Sequence, residues 1–438
     1  MYISLKVDRA IFVNALYFFL YFFLLVWVNN NYVYMLYEYM GAASKPLDGV
    51  LLAYLFLLAL LSSFLCGPRI SKPGDIVVVF LIMIVVPHAL VLNGANMFYP
   101  GASPFSGVCF SILLGSVVIS LFNKIKFRSG NEERGGGRQY LLCVSLINSF
   151  VLVFIILKSS SYFSFDFSEQ YLRRAIARDV FSAGSLEGYI ASIGTQALFP
   201  VLFAWGVYKK DKFFLWLGVV NVFVLWGAFG QKYPFFVIVL IYFLMAYFRR
   251  AGHVNVSWLL LAVIGLLLVG VLEYEALGYS YINDYFIRRA FTVPSTLLGG
   301  AETFVQVMGE NNYGDTIFGA IFGGSKSEPV TFQIGRWMYN NPDNNANINF
   351  LAVAYLRLGY LAVVVEALIV SAIVFLLNFL YSTRSTFTAM PIALLFATKI
   401  IEQSLPTVLL GSGVFFMLLL IMLMALSKRS AMRDRSAF

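Results

Sequence analysis

The chain runs to 438 residues, of which 60% are hydrophobic and 12% charged, against roughly 25% charged in ordinary soluble domains. That balance excludes a soluble globular protein and describes an integral membrane protein. The formal net charge of +9 falls largely in short connections between apolar runs, where its distribution carries topological information.

In chain order, the run Ile11 to Val28 is longer than the core of a secretory signal and has no small-residue cleavage site before Asn29, which predicts a retained signal anchor. Further apolar segments lie near 50–66, 76–92, 107–123, 141–157, 191–208, 213–229, 234–248, 257–273, 360–381, 387–402 and 408–427. Since about 20 apolar residues cross the hydrocarbon core as a helix, about twelve spans are expected. The stretches Asn349 to Gly359 and Val293 to Val307 each suit a half-span, a re-entrant piece or an interfacial helix, which raises the upper bound to about fourteen. No run alternates apolar and polar residues as a β-barrel strand would. The expected fold class is all-α and polytopic, one integral membrane domain over 1–438.

The basic residues Arg69/Lys72, Lys124/Lys126/Arg128/Arg134/Arg138, Lys209/Lys210/Lys212, Arg249/Arg250, Arg384 and the Lys428 to Arg435 tail all fall in connections on one side. By the positive-inside rule that side is cytoplasmic, and Lys6 and Arg9 before the first span agree, so both termini are expected there. Cys66, Cys109 and Cys143 are far apart in or beside apolar runs and read as small hydrophobes rather than a disulfide framework. His88 and His253 have no His or Cys at ligand spacing, so no zinc site is expected.

On the opposite face two connections, 158–190 and 273–349, are long enough to hold structure and function. The first reads as an interfacial amphipathic helix: Ser168 as N-cap, Glu169 in the first turn, Leu172, Ile176 and Val180 as the apolar stripe, and Gly184 as the stop. Arg174 and Arg178 then share the opposite stripe. The second begins with a helix started by Ser280 or Asn283 and ended near Thr292 by Pro294, with Arg288 and Arg289 in its last turn.

The pentapeptides Tyr171-Leu172-Arg173-Arg174-Ala175 and Phe286-Ile287-Arg288-Arg289-Ala290 make a recurrence, since ten residues separate Arg173 from Gly184 and Arg288 from Gly299. Paired guanidiniums present a fork of donors to phosphate oxygens in a way lysine cannot. The bland reading is that they cap helix carbonyls or meet lipid headgroups. Both loops emerge on one face, so a single anion can touch both. No Walker-type phosphate loop is present, and chemistry outside the cytoplasm without ATP points to group transfer from a pre-activated donor such as a polyprenyl diphosphate sugar.

With the Arg-x10-Gly pattern in both loops, and with Val86-Pro87-His88-Ala89-Leu90-Val91-Leu92-Asn93-Gly94 and Phe229-Gly230-Gln231-Lys232-Tyr233-Pro234, the chain resembles end to end the bacterial O-antigen polymerases of the Wzy family, particularly the pseudomonad type. The resemblance implies a multi-pass protein of the bacterial inner membrane with its active site facing the periplasm and a GT-C-like, metal-independent glycosyltransferase architecture without a cofactor. It implies undecaprenyl-diphosphate-linked O units as substrates, and a flippase and a chain-length regulator as partners in the same membrane; nothing suggests a nucleic acid. The growing chain would pass from its lipid diphosphate to the non-reducing end of an incoming unit.

On this reading Arg173, Arg174, Arg288 and Arg289 are the expected catalytic donors to the departing diphosphate, with Arg178, Lys232 and Asp343 in substrate binding. Lys232 either adds positive charge or snorkels to the interface. Asp343 sits in the asparagine-rich stretch 340–349, whose amides suit sugar hydroxyls as well as ordinary turns. Asp343, Asp179, Glu187 and His88 are the candidates for a general base. Glu273 and Glu275 make a weak case for a metal. The alternatives are a lipid-linked oligosaccharide transporter or flippase, for which only Glu366, Lys399 and Glu402 stand out in the late spans, and an O-antigen ligase, whose long second loop is expected to carry the histidine that 273–349 lacks.

Overall fold

The structure, a computed structural model, describes residues 9–92, 106–127, 137–182, 185–316, 318–323, 325, 327–342, 344–384 and 388–433. Among the described residues nine helices are long and apolar enough to cross a membrane, and shorter apolar helices cover Gly107–Asn123, Ala389–Ile400 and Val414–Leu423. An all-α polytopic membrane protein is thus the architecture, and a helix stands at each expected apolar segment.

The long helices include α1 (Arg9–Val28), α3 (Gly49–Cys66), α6 (Gly137–Ser159), α10 (Lys212–Phe229), α11 (Tyr233–Ala251), α12 (Val256–Leu277) and α16 (Phe350–Arg384). Their apolar windows differ in burial: that of Pro73–Val91 is 89% buried and that of Val256–Leu277 only 28%. The first therefore runs through the centre of the bundle, while α12 turns most of its apolar surface outward, where a lipid tail solvates it. Lipid removes the hydrophobic drive between helices, so close packing and interior hydrogen bonds hold the bundle together. One such network joins three elements: Asn123 donates to Asp75 Oδ1 at 2.9 Å, Asn378 to Asn123 Oδ1 at 2.9 Å, and the Gly74 N–H to Asn378 Oδ1 at 2.8 Å.

The basic connections share one end of the bundle. There β1 (Arg69–Ile70) pairs antiparallel with β2 (Val254–Asn255), Arg249 donates to the Val207 carbonyl at 2.7 Å, and Lys72 donates to the Asn123 carbonyl. The two long loops occupy the other end. There Tyr32 meets Glu275 at 2.8 Å, and Glu302 on α13 (Val293–Met308) accepts from the Val108 N–H at 2.6 Å, placing a carboxylate on the positive N-terminus of α5 (Gly107–Asn123).

Two expectations for the second loop change. Pro294 does not stop its helix: Asn283–Thr292 is wound as a π-helix and continues directly into α13. Proline lacks an N–H and clashes with the carbonyl four residues back, and a wider turn before it relieves that clash. The stretch Asn349 to Gly359 is the first part of α16, which kinks at Leu358 and at Gly359, where φ is +55°. The kink frees carbonyls, and the loop caps them: the Asn311 N–H reaches the Leu356 carbonyl at 3.0 Å and that of Asn312 reaches Arg357 at 2.7 Å.

Candidate active site

The first long loop folds as α7 (Gln170–Val180), one residue later than a Ser168 cap would start it, because Ser168 instead donates from N–H and Oγ to Asp166 Oδ1 at 2.8 Å. Those donors, the backbone one first, hold the Asp166 carboxyl below its ordinary range. The stripe that packs on the protein is not the apolar one. Gln170, Arg173, Ala177 and Phe181 face the protein, whereas Leu172 is 60% exposed and Ile176 and Val180 half-buried. The helix is clamped on α10 by aromatic contacts, Phe181 to Phe229 at 5.0 Å and the Arg173 guanidinium over Trp226 at 5.6 Å, which turn arginine rather than leucine inward.

Arg173 is consequently 1% exposed. Its Nη1 donates to the Asp166 carbonyl at 2.6 Å, while Nε and Nη2 have no hydrogen-bond partner among the described residues. A buried guanidinium with unmet donors costs about 1–3 kcal/mol or more unless an acceptor reaches it. Arg174 and Arg178 are exposed on the same helix, and Gly184 lies outside the described residues. Gly230 lets the chain pass close to α7: its φ is +60°, and a Cβ there would stand 2.5 Å from the Gln170 carbonyl. Beside it, exposed Lys232 places Nζ 4.8 Å from the Phe167 ring centre.

In the second loop Arg288 donates from Nε to Asp284 Oδ1 at 2.8 Å and stacks over Tyr37 at 4.3 Å. Asp284 also accepts from the Tyr37 hydroxyl and, at 2.9 Å, from that of Tyr279. Burial pushes its carboxyl up, but these phenol donors and Arg288 outweigh it and hold it below the ordinary range. Arg289 is exposed over Tyr285, and Gly299 is buried on α13. The ring contact of Phe236 with Phe286 at 5.8 Å ties this helix to the start of α11, beside the α10–α11 turn on which α7 rests.

Between the two long loops lies a cavity of about 1050 Å³. Arg178, Tyr189 and Gln196 come from the first loop and the helix after it, Thr316 and Asn345 from the second, and Gln403 from the break between α17 (Ala389–Ile400) and α18 (Val414–Arg433). Two π-helical segments, Gly194–Leu198 and Thr407–Gly411, supply further wall; such wide turns recur at functional sites. Of the described residues predicted for catalysis or substrate binding by the transferase, only Arg178 lines the cavity; Glu402, singled out for the transporter alternative, lines it too. Arg173, Arg174, Arg288, Arg289 and Lys232 stand outside its wall, and Asp343 lies outside the described residues, although its neighbours Asn345 and Asn347 are in the wall.

The residue that sequence reasoning missed is Arg357. It is 3% exposed, grips Asp315 with Nε at 3.0 Å and Nη2 at 2.8 Å, and approaches Glu366 to 3.8 Å, while Tyr313 donates to Glu366 at 3.1 Å. Burial, with the neighbouring carboxylates, pushes the Tyr313 phenol well up. Arg357 and Asp315 both line the cavity. The signal was a lone arginine inside an apolar stretch, which has to find a partner.

The other candidates are committed elsewhere. His88 is buried with Nε2 at 2.6 Å from the Ala290 carbonyl, which makes it a pin between two π-helical segments. Glu187 pairs with Lys158 at 3.3 Å; Glu402, which Lys399 meets at 3.3 Å, is the exception, since it lines the cavity. Glu273 accepts from Ser280 at 2.8 Å and from the Ile282 N–H at 3.0 Å; among the described residues no three His, Cys, Asp or Glu side chains gather as metal ligands would. Cys66, Cys109 and Cys143 form no disulfide, and Cys109 donates to the Ala89 carbonyl at 3.1 Å. No family model, curated protein or solved structure matches the chain.

Proposed function

We propose that the chain is an O-antigen polymerase, transferring a growing glycan from a polyprenyl diphosphate to the non-reducing end of an incoming lipid-linked unit. The observation that carries this reading is the single cavity to which both long loops contribute, walled by amides and hydroxyls that suit sugars and by the cations Arg178 and Arg357 that suit phosphate. In the transfer an acceptor oxygen forms a bond to the anomeric carbon while the bond to the diphosphate breaks and its electron pair leaves with the phosphate. Donors aimed at that group stabilise the transition state more than the ground state.

On this reading Arg178, in the cavity wall, meets the diphosphate, and Arg173, outside the wall on the same helix, adds positive charge. Arg288, braced by Asp284 and Tyr37, is held in one orientation. The test is a complementation gel in a strain lacking its own polymerase. Arg288→Ala is expected to abolish the long-chain ladder at unchanged protein level, and undiminished laddering would remove Arg288 from the reaction.

A further inference from the structure

The transfer proposed above needs a group to take the proton of the attacking hydroxyl, and the residues expected for it do not meet the cavity. Asp179 and Glu187 are not in its wall, and His88 is buried against a carbonyl. Among the described residues the wall holds two carboxylates, Asp315 and Glu402. Both oxygens of Asp315 are taken by Arg357, at 3.0 and 2.8 Å, and its side chain is 3% exposed. It is a brace, not a proton acceptor.

Glu402 is different. Its side chain is 43% exposed in the cavity wall, and Lys399 meets Oε1 at 3.3 Å. It stands in the connection 402–407 between the last two apolar segments of the chain. The connection is hydrogen-bonded: Ser412 donates to Gln403 at 2.8 Å, Ser404 and Thr407 share a hydrogen bond of 2.9 Å, and Ser192 holds the Gly411 carbonyl. Those bonds fix the segment that carries Glu402 against the cavity.

We infer that Glu402 is the general base that accepts the proton of the acceptor sugar hydroxyl, with Gln403 and the neighbouring serine and threonine hydroxyls holding that sugar; the inference rests on the polymerase reading. As the hydroxyl oxygen bonds to the anomeric carbon, its proton passes to the Glu402 carboxylate, and the electron pair of the broken bond leaves on the diphosphate. Lys399, on the same carboxylate, keeps it oriented. A positioned base of this kind contributes about 100- to 10,000-fold in rate.

The test uses the full chain in lipid nanodiscs with a synthetic polyprenyl-diphosphate oligosaccharide as donor and acceptor. Glu402→Gln is expected to lower turnover at least about 100-fold with the acceptor KM within a few-fold of wild type. Glu402→Asp, which keeps a carboxylate, should retain measurable extension, and Glu402→Ala should regain part of its rate on adding formate. Wild-type turnover in Glu402→Gln overturns the base while leaving the polymerase reading intact. Loss that appears only as raised KM or lowered melting temperature, without recovery by formate, makes Glu402 structural and also overturns it. Wild-type protein that binds the donor but extends nothing sinks the polymerase reading and this role together.

Discussion

Arg357 holds both carboxylate oxygens of Asp315, with Nε at 3.0 Å from Oδ1 and Nη2 at 2.8 Å from Oδ2, and both side chains are almost fully buried. Removing one partner strands the other's charge. Arg357→Ala is expected to cost about 3–5 kcal/mol, and Arg357→Lys to restore only part of it because lysine lacks the two-pronged geometry. Thermal unfolding of the purified protein in detergent measures both, and equal melting temperatures for Arg357→Ala and wild type would contradict the brace.

Gly359 occupies φ +55° and ψ −147°, a conformation open essentially to glycine alone. A Cβ there would also stand 2.6 Å from Glu310 Oε1. Gly359→Ala is therefore expected to lose about 1–3 kcal/mol of stability. Because the Asn311 and Asn312 N–H groups dock on this kink, protease cleavage within 309–316 should accelerate in the variant.

Arg173 separates charge from shape. Arg173→Lys keeps the positive charge but loses the fork and the ring contact with Trp226. Arg173→Ala is expected to lower the transfer rate about 100- to 1,000-fold, and Arg173→Lys to recover less than half of that loss on a logarithmic scale. Single-turnover rates with saturating donor decide the matter.

Asp284 gives a pH signature. Its folded carboxyl lies below the ordinary range, so its stabilising contribution is complete above the unfolded value, near about 4, and is lost as pH falls through the lowered folded value. The melting-temperature gap between wild type and Asp284→Asn should be constant from neutral pH to about 4 and shrink below it. A gap that stays open at lower pH would show that the carboxylate is not what holds Tyr37, Tyr279 and Arg288 together.

Apolar run length located the helices, since each expected segment coincides with one, but it said little about their interruptions. The π-helical turn before Pro294 and the kink at Gly359 depend on what packs beside them, and the second is completed by Asn311 and Asn312, more than forty residues upstream. Periodicity found α7 and its apolar stripe of Leu172, Ile176 and Val180, but it gave no sign that Gln170, Arg173 and Ala177 are the residues turned to the protein. Of the arginines read from spacing, Arg178 reached the cavity wall; Arg357 is held there by a long-range pairing with Asp315 that no local pattern encodes, whereas Glu402, already singled out in the late spans, pairs locally with Lys399.

The central claim is that one cavity joins lipid-diphosphate-linked glycans end to end. The most direct measurement is the ratio of polyprenyl diphosphate released to glycosidic bonds formed, using purified wild-type protein in nanodiscs with a synthetic lipid-linked unit and no nucleotide. The account predicts longer glycans with one lipid diphosphate released per new bond. Transfer of the unit across the bilayer with neither product would contradict it.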